Sequence, residues 1–513
     1  MENKILTKKA RITGSVTETR RQILNRRQLL KRFLFAPFQG ILFMHAITQK
    51  RAGANVVSSP DYNSKNIYVV NPADQTTNVF TPNEPMGIAQ GIFPGRVTWI
   101  WNPASTNPQC TNTVISPDAP GSKYDGWFMD WNTNQEIVDQ MLIAGLCSIS
   151  GKEKTSDAWD TIFRYYNKMS GKGNVPYRKG EKIYIKLNRT SASAKPGSEF
   201  RRKETNPESL LSETSPQSVL SMLRQLVHVA GVPQESIYVG DAMREIYQDE
   251  YLKYYAEFPG VYYLSRLAAG KFGRTQAAIS SSDRIFYSDK NSVMKDAGSD
   301  KIYTVLEEAE YLINLAAMKG HGSAGISLCA KNHFGTQSRN SAGHLHPGLN
   351  NKSRLGYGHY RVLVDLMASK YTGRKNLFYI LDGLWAGSDW NALPSKFLMP
   401  PFNNHWSSSL LLSHDAVAIE SVALDILRTE FSRPEHTIAH VSSYGVDDYL
   451  HQAADSGNWP KDIVYMPDGD GIPMVKSLGV HEHWNNSEEK QYSRNLGKGN
   501  GIELVKVFQN GNG

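Results

Sequence analysis

Nine polar residues of this sequence are of types that could build a metal site or an anion site. Each lies near the end of an apolar run with the composition of a β-strand, or on the segment that follows such a run. Carboxylate and imidazole groups bind divalent metals, whereas lysines neutralise carboxylates or phosphates. The nine residues are Lys186, Asn188, Asp241, Lys319, His321, Lys331, Asn332, Asp382 and Asp415.

These residues divide into three expected roles. The catalytic candidates are His321, Asp382 and Lys331. The candidates for binding an anionic substrate are Lys186, Asn188, Lys319 and Asn332. The candidate metal ligands are Asp241, Asp415, Asp382 and His321.

Several of these residues also have a structural explanation. Asp241 and Asp415 could cap helices, because aspartate is a favoured N-cap residue. Asp382 precedes a glycine and could belong to a turn, and Lys186 could be a solvated strand residue. His321 stands between two glycines, which let the backbone approach a ligand and expose the imidazole. This spacing favours a functional role for His321.

The elements that must position these residues alternate between strands and helices. Strands are expected at residues 96–101, 183–188, 237–240, 311–317, 376–381 and 408–413, and helices at 133–147, 156–170, 215–230 and 416–427. Residues 323–332 also look helical. This alternation predicts an α/β fold with an open, mostly parallel, Rossmann-like sheet and flanking helices. Ligands of such sheets bind outside the carboxyl ends of the strands, so the candidate residues should meet at one edge.

Two further features are weaker. His333, His344, His346 and His359 form a histidine-rich segment, which could bind a metal or be a solvated loop. Residues 189–214 form a long polar loop that begins at the expected site edge. A loop of this length is either a lid or disordered.

The N-terminus contains a candidate export signal. Residues 25–31 read Asn-Arg-Arg-Gln-Leu-Leu-Lys, which resembles a twin-arginine signal. A modest apolar stretch follows at 33–47, and Ala52-Gly53-Ala54 has a small-x-small cleavage pattern. The pattern predicts a periplasmic or otherwise exported protein that crosses folded through the twin-arginine machinery; the alternative is an uncleaved amphipathic anchor.

Composition restricts the function classes. Residues 1–54 carry a net charge of +10 and the whole chain +8, so the remainder is at −2, which argues against nucleic-acid binding. The only cysteines are Cys110, Cys147 and Cys329, without a Cys-x-x-Cys pair. An iron–sulfur cluster bound by this chain alone is therefore not expected. No apolar stretch of the mature chain reaches the roughly 20 residues of a membrane span.

The expected organisation has four parts. Residues 1–54 form the signal segment, 55–85 an extended linker, 86–480 a single α/β domain, and 481–513 a polar C-terminal tail.

Seven short segments of the chain resemble the bacterial family called "domain of unknown function 362". The resemblance covers roughly residues 86–480 and supports a site at the sheet edge, but it supplies no substrate. Some members look ferredoxin-linked and carry iron–sulfur cysteine motifs that this chain lacks. Its leader and its Trp-rich segment 96–131 look like those of exported members. The matching segments are Ile185–Asn188, Thr214–Pro216, Val239–Asp241, Met318–His321, Ser327–Gly335, Leu381–Leu384 and Ser413–Ala418.

Three functions fit these features. The first is an exported, metal-dependent, hydrolase-like enzyme in which a metal-activated water attacks an anionic small molecule. The second is a non-catalytic envelope protein that binds a solute or a glycan. The third is a redox partner of an iron–sulfur subunit. In the second case the tryptophans that could stack on sugars are Trp99, Trp101, Trp127 and Trp131.

Overall fold

The central β-sheet is covered by helices on both faces, and its inner strands are therefore almost continuously apolar. The computed structural model describes residues 82–509 except 194–198, 268–271, 291–293, 295, 352–353, 437 and 439. The expected signal segment and nearly all of the expected linker lie outside the described residues. Within the described part, no helix combines the length and apolar character that a membrane crossing requires.

Sixteen strands are described. They are β1 (Met86–Gly87), β2 (Arg96–Trp101), β3 (Ile183–Leu187), β4 (Ile237–Gly240), β5 (Tyr262–Ser265), β6 (Thr275–Gln276), β7 (Ile285–Phe286), β8 (Ser299–Asp300), β9 (Tyr311–His321), β10 (Gly325–Ser327), β11 (Asn376–Gly387), β12 (Lys396–Phe397), β13 (His405–Trp406), β14 (Ser409–Ser413), β15 (Val480–His481) and β16 (Glu503–Phe508).

Nine α-helices accompany them. They are α1 (Gln135–Ser150), α2 (Thr155–Met169), α3 (Pro216–Arg224), α4 (Gln248–Glu257), α5 (Thr304–Glu308), α6 (Cys329–Asn332), α7 (Val362–Ala368), α8 (Ala416–Phe431) and α9 (Asp448–Ala454). A π-helical turn, Gln225–Val229, extends α3. Short 3-10 helices span Pro103–Ser105, Pro207–Leu210, Gln234–Ser236, His333–Thr336, Asn340–Gly348, Gly373–Lys375, His440–Ser442 and Ser456–Asn458.

Ten strands form the main sheet in the order β16-β2-β14-β11-β9-β3-β4-β5-β6, with β10 paired to β9. Neighbouring strands from β11 through β9, β3, β4 and β5 to β6 are parallel. The predicted α/β fold with a mostly parallel sheet is confirmed. Only β14 and β10 run antiparallel to the other strands. β14 is antiparallel to both β11 and β2, and β10 is antiparallel to β9.

Alternate side chains of the central strands enter two separate apolar clusters. On β9, Leu312 and Ala316 belong to one cluster, and Ile313 and Leu315 belong to the other. Helices α7, α8 and α9 pack into the first cluster, and α1, α2 and α3 into the second. The sheet is therefore the middle layer of three.

Three local predictions need correction. The first helix is capped by Asn134, not by Thr133: Asn134 accepts from the N–H groups of Glu136 and Ile137, whereas the Thr133 hydroxyl donates to Trp127 O. The segment 323–332 is not one helix, since β10 occupies part of it. Residues 481–509 are not a tail, because β16 pairs in parallel with β2 at the edge of the main sheet.

Candidate functional site

Eight of the nine predicted site residues lie toward the carboxyl ends of β3, β4, β9 and β11, or on α6 beside them. Lys319 and His321 are the last residues of β9 rather than part of a following loop. Asp382 likewise lies within β11 and is not in a turn. The parallel arrangement of these four strands brings their ends to one edge of the sheet, as expected.

Asp415 lies at the opposite edge of the sheet. Because β14 is antiparallel to β11, its last residue, Ser413, pairs with Tyr379 in the first half of β11. The Asp415 carboxylate caps α8 by accepting from the N–H groups of Val417 and Ala418 at 3.0 and 2.8 Å. The expectation that Asp415 shares a site with Asp241 and Asp382 is wrong.

Lys186 and Asp241 neutralise each other in the protein interior. The Lys186 ammonium lies 3.3 Å from Asp241 Oδ2, and Lys186 is fully buried. Burial lowers the pKa of Lys186, and the Asp241 carboxylate opposes that shift. The same ammonium donates to Leu187 O at 2.6 Å and to Asn332 Oδ1 at 3.1 Å. The hydrogen-bonding capacity of Lys186 is thus used within the protein.

The segment Lys331–Gly335 covers this ion pair. Asn332 Nδ2 donates to Asn314 Oδ1 at 2.8 Å, so Asn332 is held in the interior. A Cβ added at Gly335 would lie 2.4 Å from Asp241 Oδ1 and 2.7 Å from Lys186 Nζ. Gly335 is therefore explained by close packing against the ion pair.

Asp382 fixes the start of α3. Its Oδ2 accepts from the Ser215 N–H at 2.7 Å and from the Ser215 hydroxyl at 2.6 Å. Its Oδ1 accepts from the Leu384 N–H at 3.1 Å. Burial raises the pKa of Asp382, and the hydrogen bonds from Ser215 oppose that rise. These contacts assign Asp382 a role in joining β11 to α3.

Lys319 and Lys331 differ from Lys186, because neither has a carboxylate within 4.0 Å in the described part of the chain. The Lys319 ammonium donates to Thr190 Oγ1 at 3.1 Å and to Ser212 O at 2.5 Å. The Lys331 ammonium lies 3.6 Å from the centre of the Phe334 ring. Burial lowers the pKa of Lys319 to about 8. Burial, together with the positive charge of Lys319, lowers the pKa of Lys331 to about 7.

His321 faces these two lysines as a neutral imidazole. Burial and the positive charge of Lys331 hold the pKa of His321 well below its usual value. Its Nδ1 accepts from the Ser323 N–H at 3.1 Å, so the proton of the neutral ring is on Nε2. His346 lies beside it, with ring centres 5.8 Å apart. His321 therefore offers one N–H donor. The expectation that its glycine neighbours make room for a ligand fails at Gly320, whose added Cβ would lie 2.0 Å from Ser388 O.

Four residues that sequence reasoning missed surround this cation cluster, which we define as Lys319, Lys331 and His321. Thr190 and Ser212 contact Lys319, as described above. Asp389 Oδ1 accepts from the Gly322 N–H at 2.8 Å, and half-buried Arg244 lowers the pKa of Lys331 further. Arg244, four residues beyond β4, carried the only usable signal. Asp389 contacts the Gly322 N–H and Ser212 contacts Lys319, and sequence spacing reveals neither contact.

The loop 189–214 is held by buried charges where it is described. Arg189 pairs with Glu250 of α4 at 2.7 Å, and Arg202 also pairs with Glu250. Thr190 and Ser212, near its two ends, both bond to Lys319. The described parts of this loop are thus fixed beside the cation cluster.

Among the described residues, the histidines of the histidine-rich segment do not form a group that could hold a metal ion. His333 is buried and bonds to Asn314 at 3.2 Å, whereas His344 pairs with Asp300 at 2.6 Å. The described residues that lie close enough to hold a metal ion are instead Asp447, His451 and His481, whose ligand atoms all lie within 4.8 Å of one another.

One family model matches the chain. Residues 206–425 match the family described as "Domain of unknown function (DUF362)". The DUF362 match includes the cation cluster, Asp241 and Asp382. Lys186 and the Asp447–His451–His481 group lie outside it. No curated protein matches the chain.

Proposed function

We propose that the cation cluster binds a small molecule carrying a carboxylate or a phosphate. The main support is that Lys319 and Lys331 are buried, and that neither ammonium group has an acidic partner within 4.0 Å among the described residues. A buried charge is costly unless it is paired. An anion bound between the two lysines would supply the missing charge, and the His321 N–H would donate to it.

Proton transfer at this edge would rest on Lys331 and His321. A lysine with a pKa of about 7 exchanges a proton readily at neutral pH. Asp241 and Asp382 are less suited to hold a metal-activated water, because their oxygens are engaged by Lys186 and Ser215. This proposal therefore keeps the anionic substrate and the catalytic candidates Lys331 and His321, and it leaves out a catalytic role for Asp382.

Calorimetric titration of the full chain with inorganic phosphate and with succinate tests the proposal. Binding should raise the pKa of Lys331, so that the complex takes up protons at pH 8. Replacement Lys331→Met or Lys319→Met should weaken binding about 10- to 100-fold, the value of a charge-assisted hydrogen bond. Titration in two buffers of different ionisation enthalpy measures the proton uptake.

Lys375→Met is the matched control. Lys375 is half-buried just before β11 at the opposite edge of the sheet, and burial lowers its pKa to about 8 as well. Its loss should leave binding unchanged. Absence of binding by the wild type, or equal weakening by Lys375→Met, refutes the proposal.

A surface groove favours glycan binding as a second candidate. The groove has a volume of about 690 Å³ and is lined by Trp131, Asp130, Asn107 and His405, among others. Trp131 is 67 % exposed, whereas Trp99 and Trp127 are in the core and cannot stack on a sugar. Trp131→Ala should abolish retention on a polysaccharide column if this candidate is correct, and Lys331→Met should not.

Export is proposed from residues 25–31. Double replacement of Arg26 and Arg27 by lysine should retain the protein in the cytoplasm. The leader contains a second arginine pair, Arg20-Arg21, which provides a matched control. Cell fractionation in which both double variants behave alike would refute a twin-arginine signal at 25–31.

A further inference from the structure

A second polar cluster lies between α8, α9 and β15, apart from the cation cluster. Asp447 immediately precedes α9, and His451 follows one helical turn later, with its Nε2 3.6 Å from Asp447 Oδ2. His481 is the last residue of β15. Its ring centre is 4.9 Å from that of His451. Three potential ligands from a helix and a strand therefore converge.

The hydrogen bonds of His481 determine which of its nitrogens is available. The Ser421 hydroxyl donates its single proton to Val417 O at 2.8 Å. The same oxygen lies 2.8 Å from His481 Nδ1, and with the hydroxyl proton assigned to the bond with Val417 O, Nδ1 is the donor in that contact. The neutral ring then carries a lone pair on Nε2. This atom is buried and has no hydrogen-bond partner, and His481 is 0 % exposed.

An unpartnered buried imidazole nitrogen is costly, and a metal ion would use its lone pair directly. A neutral imidazole whose other nitrogen is fixed by a hydrogen bond is the form in which histidine binds metals. The tautomer of His481 thus points to a ligand independently of the clustering.

Asp447 is also oriented by its neighbours. Its Oδ1 accepts from the Tyr357 hydroxyl at 2.8 Å and lies 4.0 Å from the Arg428 guanidinium. Its Oδ2 lies 3.1 Å from His483 Nε2, and His483 Nδ1 lies 2.6 Å from Asp425. His483 therefore fixes the position of Oδ2, which also lies 3.6 Å from His451 Nε2.

We propose that Asp447, His451 and His481 bind a divalent transition metal of the zinc or ferrous class. Two imidazoles and one carboxylate are a ligand set that both metals accept. A tetrahedral zinc ion would draw the ligand atoms to about 3.4 Å from one another. The His451 side chain is 21 % exposed and can make this adjustment.

Three protein ligands leave a coordination position open. The cluster borders solvent at His451 and at Tyr357, which is 41 % exposed. A water or a small ligand could reach a bound metal ion from this side. Sites that keep such a position activate bound water or polarise a substrate oxygen. The proposal does not depend on anion binding by the lysines.

Metal analysis of the purified full chain tests this site. The protein is stripped with a chelator and reconstituted with Zn²⁺, or with Fe²⁺ under anaerobic conditions, and bound metal is measured by mass spectrometry. The wild type should retain one ion per chain. His451→Ala should lower the affinity at least about 100-fold, and Ser421→Ala about 10- to 100-fold, because Ser421 only orients a ligand. The ligand-field absorption of bound Co²⁺ reports the coordination directly.

His228→Ala is the matched control, because His228 lies 3.8 Å from Glu257 and forms a histidine–carboxylate pair without a third ligand. It should retain the wild-type affinity. Circular dichroism of metal-free His451→Ala separates loss of a ligand from misfolding. Retention of either metal supports the site. A wild type that holds no more metal than His451→Ala, or a His228→Ala variant with an equal loss, overturns the proposal.

Discussion

Lys186 and Lys331 are both buried at the carboxyl edge of the same sheet, yet they differ in their partners. Lys186 has a carboxylate at 3.3 Å and two further oxygen acceptors. Lys331 contacts the ring of Phe334. Position at a strand end is therefore a poor guide to function. The presence or absence of a counter-charge separates a structural lysine from one suited to a ligand.

The largest expected effect comes from removing Lys186 from its ion pair with Asp241. Lys186→Met would leave Asp241 charged and buried, and we expect it to lower the free energy of unfolding by about 3–5 kcal/mol. The double variant Lys186→Met/Asp241→Asn should lose less, because no uncompensated charge remains. Urea denaturation measures both. The comparison fails if the single variant is as stable as the double variant.

Lys331→Met should act in the opposite direction. Replacing an unpaired buried lysine by methionine removes the cost of burying its charge, and here no carboxylate within 4.0 Å is left unpaired. The free protein should therefore unfold at a higher temperature while losing anion binding. Calorimetric unfolding in a buffer free of phosphate and carboxylate checks this. A clear destabilisation would show that Lys331 is structural, as Lys186 is.

Gly335 allows the paired lysine to be probed without removing a charge. Gly335→Ala would force a methyl group against Asp241 and Lys186, and overpacking of this kind costs about 1–3 kcal/mol. Gly322→Ala is the control, because its added Cβ would meet its nearest neighbour, Asp389, at an ordinary 3.4 Å. Thermal unfolding of the two variants should differ clearly in midpoint. Equal midpoints would contradict the close packing at Gly335.

The pH dependence contributed by Lys331 is the smallest effect when it is expressed per pH unit. Its pKa of about 7 in the folded chain is below the ordinary lysine value of 10.5, so the unfolded chain binds more protons between these values. Stability contributed by Lys331 therefore rises with pH in this window, by at most about 1.4 kcal/mol per pH unit. Unfolding of wild type and Lys331→Met from pH 7 to pH 10 should show the difference narrowing as pH rises. A constant difference would mean that Lys331 titrates normally.

The sheet and its edge could be predicted from the sequence because strand composition is local. Buried strands such as β3 and β4 are apolar runs, and Ser215-Pro216 is a strong helix start that the structure retains. The direction of β14 could not be predicted. It depends on the connection through β12 and β13, and apolar composition carries no information on strand direction.

The contacts between side chains within the site also could not be predicted from the sequence. Nothing in the segment Lys331–Gly335 shows that it folds over Lys186, which is 146 residues from Asn332. The proposed metal site had local signals, namely His451 four residues after Asp447 and His481 two residues before His483. Their meaning depends on Ser421, which selects the tautomer of His481 and belongs to a different helix.

The pairing of β16 with β2 has a consequence for biosynthesis. Arg96 of β2 and Glu503 of β16 are 407 positions apart. They form a bidentate salt bridge, with Arg96 Nε 2.7 Å from Glu503 Oε2 and Arg96 Nη2 3.2 Å from Glu503 Oε1. The ribosome synthesises β2 long before β16. The edge of β2 that pairs with β16 therefore stays unpaired during most of translation. Unpaired strand edges invite association with other chains. A nascent chain that stops before residue 503 would therefore expose the unpaired edge of β2, which is prone to aggregation. In the complete protein, β16 pairs with this edge.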